Sequence, residues 1–304
     1  MSLKNDPQQQ VIIFDLDDTL IQVNLKAYLS IAWKAFPRNI GTLMFLKSSR
    51  AKDKYGNKRF KAIKTDEFSP GGAATSFAFY GLYVNNDYHF QQLIPELLKA
   101  VWDNAVFMTG ANTLLAYLKQ KGYAIVYATN KDYTSYKHVA ESMDAKYKNA
   151  FSMYPTCTLV THPTKISLQK WKEQMNNQSN LPEEFKQLVN QIIEAKPDQQ
   201  NNVYFADGFE KPQEEYYTRL ISLLDSHNLA DKEYIFFDDK PVNIEKAKQK
   251  NIKGHVVKNV ADIVKGLEKE GVLDPNNDRE LYEQLEKEGV FGFIKKVSRY
   301  FIKS

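Results

Sequence analysis

The chain has 304 residues, 43% hydrophobic and 26% charged, which is ordinary for a globular protein of one large domain or two. A formal net charge of +4 is too mild a basicity to imply a nucleic-acid partner. The lone Cys157 excludes an internal disulfide and fits a reducing compartment, and the expectation for it is a half-buried structural thiol. The polar N-terminus has no signal-peptide core, and no apolar run reaches the roughly 18 residues of a membrane span, so a cytoplasmic protein is expected.

In chain order, Val11 to Phe14 form a continuous apolar run, the pattern of a central parallel strand buried on both faces. The run leads straight into Asp15, Asp17, Asp18 and Thr19. Ligands of open α/β sheets bind off the carboxyl ends of the strands, so Asp15 and Asp17 are expected at the mouth of a site. Two carboxylates there can divide labour, one attacking and the other moving a proton. A calcium loop is excluded, because Leu20 and Lys26 stand where it needs Gly and Glu.

From Leu25 to Phe36 apolar residues recur at helix spacing, and Pro37 ends the pattern. Between Lys47 and Lys64 eight cations, among them Arg50, Lys58 and Arg59, face one acid, Asp53. Such a run is either a solvated face or a landing surface for an anionic substrate or lipid. Pro70-Gly71-Gly72 is a breaker, and the aromatic stretch from Phe77 to Phe90 reads as core, with some rings available to line a pocket.

Residues 111–121 form an amphipathic helix stopped by Gly122. Further strands are expected at Tyr123 to Ala128, ending in Thr129-Asn130, at Thr158 to Thr161, at Val203 to Ala206, and at Tyr234 to Phe237, ending in Asp238-Asp239. A helix over about 132–146, a polar two-helix insertion over 163–200, Lys211-Pro212, a helix from Asn243 and an edge strand at His255 to Val257 complete this part. The five histidines show no metal-ligand spacing. Leu-Glu-Lys-Glu-Gly-Val recurs at 267–272 and 285–290, which two short glycine-stopped helices explain. On a helical wheel of 290–303, Phe291, Phe293, Ile294 and Phe301 share one arc, while Lys295, Lys296 and Arg299 fall opposite. The segment is expected either to lie on an anionic membrane surface or to fold back on the core.

Asp15-Leu-Asp-Asp-Thr19, Thr129-Asn130, Lys211-Pro212, and Asp238-Asp239 with Asn243 behind them occur in this order, each closing or following an expected strand. In this the chain resembles the haloacid dehalogenase (HAD) superfamily of phosphohydrolases, over roughly residues 9–21 and 100–265. The resemblance implies an α/β fold with a Rossmann-like parallel sheet. It implies that the insertion after the first strand (22–99) is a mostly helical cap. The extra helical insertion at 163–200 departs from the family, which passes more directly from the strand before it to its lysine, and the C-terminal amphipathic tail at 279–304 is read from the residues alone. The resemblance implies a Mg²⁺-dependent phosphatase with Asp15 as nucleophile, through an aspartyl-phosphate, and Asp17 as acid and base. Thr129 and Asn130 would donate to the phosphoryl oxygens, and Lys211 would neutralise their charge. Asp15, the Asp17 carbonyl and Asp238 or Asp239 would hold Mg²⁺. The alternatives are a phosphorylatable signalling or binding module without turnover, and a phosphomutase. The expected partner is a phosphorylated substrate read by the cap through Arg50, Lys58 and Arg59. Composition and tail also resemble, faintly, secreted bacterial effectors, some of whose HAD proteins look like tyrosine phosphatases, which extends the expectation to a phosphoprotein.

Overall fold

A computed structural model describes residues 7–23, 72–84 and 88–291. The expected helix from Leu25, the cations Arg50, Lys58 and Arg59, and the tail residues Phe293, Ile294, Lys295, Lys296, Arg299 and Phe301 lie outside the described residues.

Six parallel strands form the central sheet: β1 (Gln10–Phe14), β4 (Ala124–Asp132), β5 (Cys157–Thr161), β6 (Val203–Phe205), β7 (Glu233–Asp238) and β8 (Lys253–Val256). Their order is β6-β5-β4-β1-β7-β8. Every residue of β1 is buried, as its unbroken apolar run predicts for a strand covered by helices on both faces. Ile12 pairs with Ile125 on one side and Ile235 on the other. The order reverses around β1, so the carboxyl ends of β1, β4 and β7 surround the crevice where α/β sheets place their ligands. A small antiparallel pair, β2 (Ile21–Val23) with β3 (Ala105–Phe107), was not legible in the sequence because each strand has only three residues.

The described part of the first insertion supplies helices α1 (Gly72–Phe79) and α2 (Tyr88–Asp103). α3 (Ala111–Gln120) leads into β4, and α4 (Tyr133–Tyr147) and the short α5 (Ala150–Met153) into β5. The second insertion is the expected pair of helices, α6 (Lys165–Asn176) and α7 (Glu183–Glu194). The two insertions, some eighty residues apart, pack as one helical body. Trp171 lies 6.2 Å from the Phe79 ring, Gln178 donates to the Leu82 carbonyl at 2.9 Å, and a side chain at Gly81 would strike Phe185. That body shares one hydrophobic cluster with the sheet, so α6 and α7 are part of the core rather than a surface decoration.

On the other flank, α8 (Glu214–Ser226) and α9 (Pro241–Lys248) cover the second face of the sheet. α10 (Val260–Lys269) and α11 (Arg279–Lys287) are the two helices of the repeat, followed by Gly271 and Gly289 in positive φ. Asp278 ties this end to α3, accepting from the Tyr117 hydroxyl at 2.5 Å and pairing with Lys121 at 3.2 Å. Val290 and Phe291, the first residues of the expected tail, pack against the core, with Phe291 stacked 6.0 Å from Tyr282. Cys157 is fully buried rather than half-buried, and burial pushes its thiol up to about 12. No described helix is long and apolar enough to cross a membrane.

Two stability predictions follow from this packing. Phe185, fully buried between the insertions, should cost about 3–5 kcal/mol when replaced by Ala. Chemical denaturation should show one transition moved as a whole; two separate transitions would show that α7 melts independently. His162, buried against Phe205 with Nε2 lacking a partner among the described residues, is pulled from 6.5 to about 4 by that burial. Above pH 6.5 it is neutral folded or unfolded, and as pH falls from 6.5 toward 4 only the unfolded chain takes up the proton. Stability should therefore drop by roughly 3 kcal/mol through that window. His162→Phe should flatten this part of the pH–stability curve, and an unchanged slope would contradict the assignment.

Candidate functional site

The site begins at the end of β1. Asp15 donates its amide to the Phe237 carbonyl at 2.9 Å, which fixes the turn against β7. The chain then coils tightly, with the Leu16 carbonyl accepting from Leu20 and Ile21, both at 2.9 Å. This coil leaves Asp15 buried at 4% exposure and brings the Asp17 side chain out to 47%.

β4 contributes through an irregularity. Ala128 pairs with Leu159 and Asp132 with Thr161, so four residue steps of β4 run against two of β5. Thr129, Asn130 and Lys131 thus stand opposite Val160 alone, a surplus of two residues, and a bulge of this kind re-aims side chains and bends the strand. Thr129 is buried, and its hydroxyl oxygen accepts from the Lys131 amide at 3.1 Å, leaving its own proton to donate. The Asn130 side chain is occupied twice: Oδ1 accepts from the Lys211 amide at 2.8 Å and Nδ2 donates to the Lys211 carbonyl at 2.9 Å. The structure therefore places Asn130 as the clamp on the Lys211 backbone. Lys131, which nothing in the sequence singled out, extends Nζ to 2.7 Å from Asp17 Oδ1.

Lys211 is buried at 3% exposure. Its ammonium donates to Asp15 Oδ1 and Asp238 Oδ2, both at 2.7 Å, and to the Ala128 carbonyl at 2.8 Å, which uses all three hydrogens. Asp238 is in turn held by the Lys240 amide at 2.8 Å and by Asn243 Nδ2 at 2.9 and 3.0 Å. Beneath them the Tyr217 hydroxyl donates to the Asn243 carbonyl at 2.7 Å, and Tyr216 to the Thr129 and Leu159 carbonyls, each at 3.2 Å. Sequence reading missed both tyrosines, since buried aromatics on a helix look like core.

The electrostatics follow from burial. The Asp15 carboxyl is raised to about 6 as the balance of burial, which pushes it up most, Lys211, which draws it down, and Asp238 and Asp17, which push it up. Burial alone would pull Lys211 down, but Asp15 and Asp238 hold its ammonium above the ordinary lysine value. Asp239 is raised as well, first by burial, and its Oδ1 is buried without a hydrogen-bond partner among the described residues.

Asp15, Asp238 and Asp239 bring carboxylate oxygens within 4.8 Å of one another. Three carboxylates against one ammonium leave two negative charges to be balanced, and one carboxylate oxygen has nothing to accept from. Hard, all-oxygen donors with a deficit of two positive charges fit a divalent cation such as magnesium. Asp238 and Asp239 both belong to this set, Asp238 already spending its oxygens on Lys211 and Asn243.

Among solved structures, a HAD family enzyme from Bacteroides thetaiotaomicron, as its magnesium complex, aligns with 14% identity over 82% of this chain and 93% of its own, at a TM-score of 0.45. A HAD hydrolase from Bacillus subtilis bound to magnesium shares 13% identity over 82% and 86%, at 0.42. A predicted HAD-like hydrolase from Porphyromonas gingivalis shares 14% over 86% and 98%, also at 0.42. No curated protein matches the chain. The family profile of the haloacid dehalogenase-like hydrolases matches residues 9–249, a span that holds all four motifs converging on Lys211, and to that family of hydrolases the chain belongs.

Proposed function

We propose that the protein is a Mg²⁺-dependent phosphomonoester phosphatase working through an aspartyl-phosphate on Asp15. The observation that carries this reading is the buried Lys211 ammonium shared by Asp15 and Asp238, with Asp239 completing a cation-binding set. Displacement of a halide has a monoanionic leaving group that needs no proton and little counter-charge. A phosphate dianion entering among carboxylates needs positive charge, and an alkoxide leaving group needs a proton. A divalent-cation set together with a half-exposed Asp17 suits the second chemistry.

In this reading an Asp15 oxygen attacks phosphorus while the bond to the leaving oxygen breaks, and Asp17 delivers the proton that oxygen requires. Water then gives a proton to Asp17 and attacks the phosphorus. The acyl phosphate bond breaks, releasing phosphate and restoring the Asp15 carboxylate. Lys211 holds the nucleophile ionised, and the Thr129 hydroxyl donates to the transferring group. Lys131 orients the Asp17 carboxylate, and Asn130 serves by placing Lys211. Magnesium, held by Asp15, Asp238 and Asp239, would supply the positive charge that lets the dianion approach. The proposed substrate class is a large anionic phosphomonoester such as the phosphotyrosine of a protein, read by the cationic run containing Arg50, Lys58 and Arg59.

Hydrolysis of a generic aryl phosphate should require Mg²⁺ and stop with EDTA. Asp15→Asn and Asp17→Asn should each lose at least about a hundredfold in kcat, the low end of what a proton-transfer group contributes. Circular dichroism should show both variants folded; an active Asp15→Asn protein would sink the mechanism. A single burst of phosphate-free product without turnover would indicate a phosphorylatable module, and phosphate moved to a second position of the same molecule would indicate a mutase.

Charge reversal of Arg50, Lys58 and Arg59 to Glu should raise KM for a phosphopeptide at least several-fold while leaving the small aryl phosphate unaffected. Equal effects on both substrates would remove these cations from substrate recognition.

A further inference from the structure

Beyond Lys131, β4 ends on Asp132, which the chemistry above does not use. Asp132 is fully buried. Its Oδ1 accepts the Ser135 amide at 2.8 Å and so caps α4. Its Oδ2 accepts the Ser135 hydroxyl at 3.0 Å and, from the opposite direction, the Ala74 amide at 2.9 Å in the first turn of α1. The Ser135 hydroxyl oxygen shares that Ala74 amide at 3.3 Å. The N-termini of two helices therefore converge on one carboxylate, each presenting unpaired amides and the positive end of its dipole.

The fit leaves no slack. Gly72, at φ 74, backs directly on Asp132: a Cβ there would lie 2.2 Å from the Asp132 nitrogen and 2.3 Å from Oδ2. α1 is also where the chain returns from residues 24–71, the segment between the first motif and the core. On the other side, Asp132 is the residue at which β4 regains its register with Thr161 after the bulge that carries Thr129, Asn130 and Lys131. Asp132 thus pins the far end of the bulge that faces the phosphate site.

We propose that Asp132 is a positioning residue that couples α1, the returning end of the insertion, to the phosphoryl-facing run 129–131, so that occupancy of the site is felt in the insertion. This rests on the phosphate-site reading given above. The physical ground is that neither partner can leave alone: withdrawing α1 strips a donor from a buried carboxylate with no water to replace it. Shifting the bulge drags the carboxylate along, because only Asn130 and Lys131 separate it from Thr129.

Hydrogen exchange on the full chain tests this, with Mg²⁺ and inorganic phosphate as the probe. In the unsubstituted protein the probe should slow exchange at least threefold in two segments, 129–135 and 72–84. Asp132→Asn keeps the shape but turns an amide group toward one of its donors. It should keep the protection at 129–135 and lose it at 72–84. Gly72→Ala attacks the same contact from the insertion side, through a Cβ driven against Asp132, while leaving the carboxylate in place, and should give the same pattern. Protection of 72–84 that persists in both variants, or that is missing from the unsubstituted protein while 129–135 is protected, overturns the coupling alone. Absence of protection in both segments of the unsubstituted protein overturns the phosphate-site reading and the coupling with it. A role confined to capping α4 would lower Tm in Asp132→Asn and leave the two-segment pattern intact.

Discussion

A lysine ammonium with 3% exposure is tenable only because three acceptors meet it. An unpaired charge in that position would cost several kcal/mol, and removing one partner of a buried pair typically costs about 3–5 kcal/mol. The Lys211 contacts come from Asp15 just past β1, Ala128 within β4 and Asp238 at the end of β7, three strands that meet only because β1 is central and the sheet order reverses around it. Lys211 thereby sets the relative height of these three strands. Its own backbone is fixed by the two-point clamp from Asn130. The Asp15 carboxylate and the fold's central seam are held by one interaction.

The supporting layer has the same logic. Asp238 would be free to rotate if Lys211 were its only partner, but Asn243 and the Lys240 amide also hold its oxygens. Asn243 stands at the start of α9, and the Tyr217 hydroxyl of α8 holds its carbonyl. Such second contacts orient ligands and restrict the geometries available to a metal. Asp239 is the exception, with one buried oxygen left without a partner among the described residues. In a network otherwise satisfied, that oxygen is where an added cation gains most.

Much of this was legible in the chain, for identifiable reasons. β1, β4 and β7 are buried on both faces, so their apolar runs end abruptly where the polar site residues begin. Asp15, Thr129 and Asp238 each stand at such a boundary, and Lys211 was legible through its place beside Pro212 after the β6 run. Lys131 and Asp132 were not legible, because one lies in the bulge of β4 and the other closes it, and a bulge leaves no trace in residue type. Asn130 carried a motif identity but a different job, since its amide is spent on the Lys211 backbone. The joining of the two insertions was invisible for another reason. Trp171 and Phe185 mark ordinary amphipathic helices, and no periodicity says that the partner face is Phe79 and Gly81, about a hundred residues earlier.

The contrast between Asp15 and Asp17 shows how one strand end makes two kinds of carboxylate. Asp15 is closed in at 4% exposure, where a nucleophile is stripped of competing water and each neighbouring charge acts at low dielectric. Asp17, two residues later, has a side chain 47% exposed, where a leaving group can depart and water can arrive. The coil on the Leu16 carbonyl creates this difference by lifting the chain out of the sheet within one turn. Exposure alone would leave Asp17 loosely placed, and the nearly buried Lys131 side chain, 11% exposed, supplies the missing constraint. Since Lys131 belongs to the bulge that Asp132 pins, the orientation of the Asp17 carboxylate, the proton-transfer group of the proposed mechanism, is tied to the same short segment that anchors α1. Chemistry and insertion therefore share a mechanical root in four consecutive residues of β4, which is why a perturbation there should reach both.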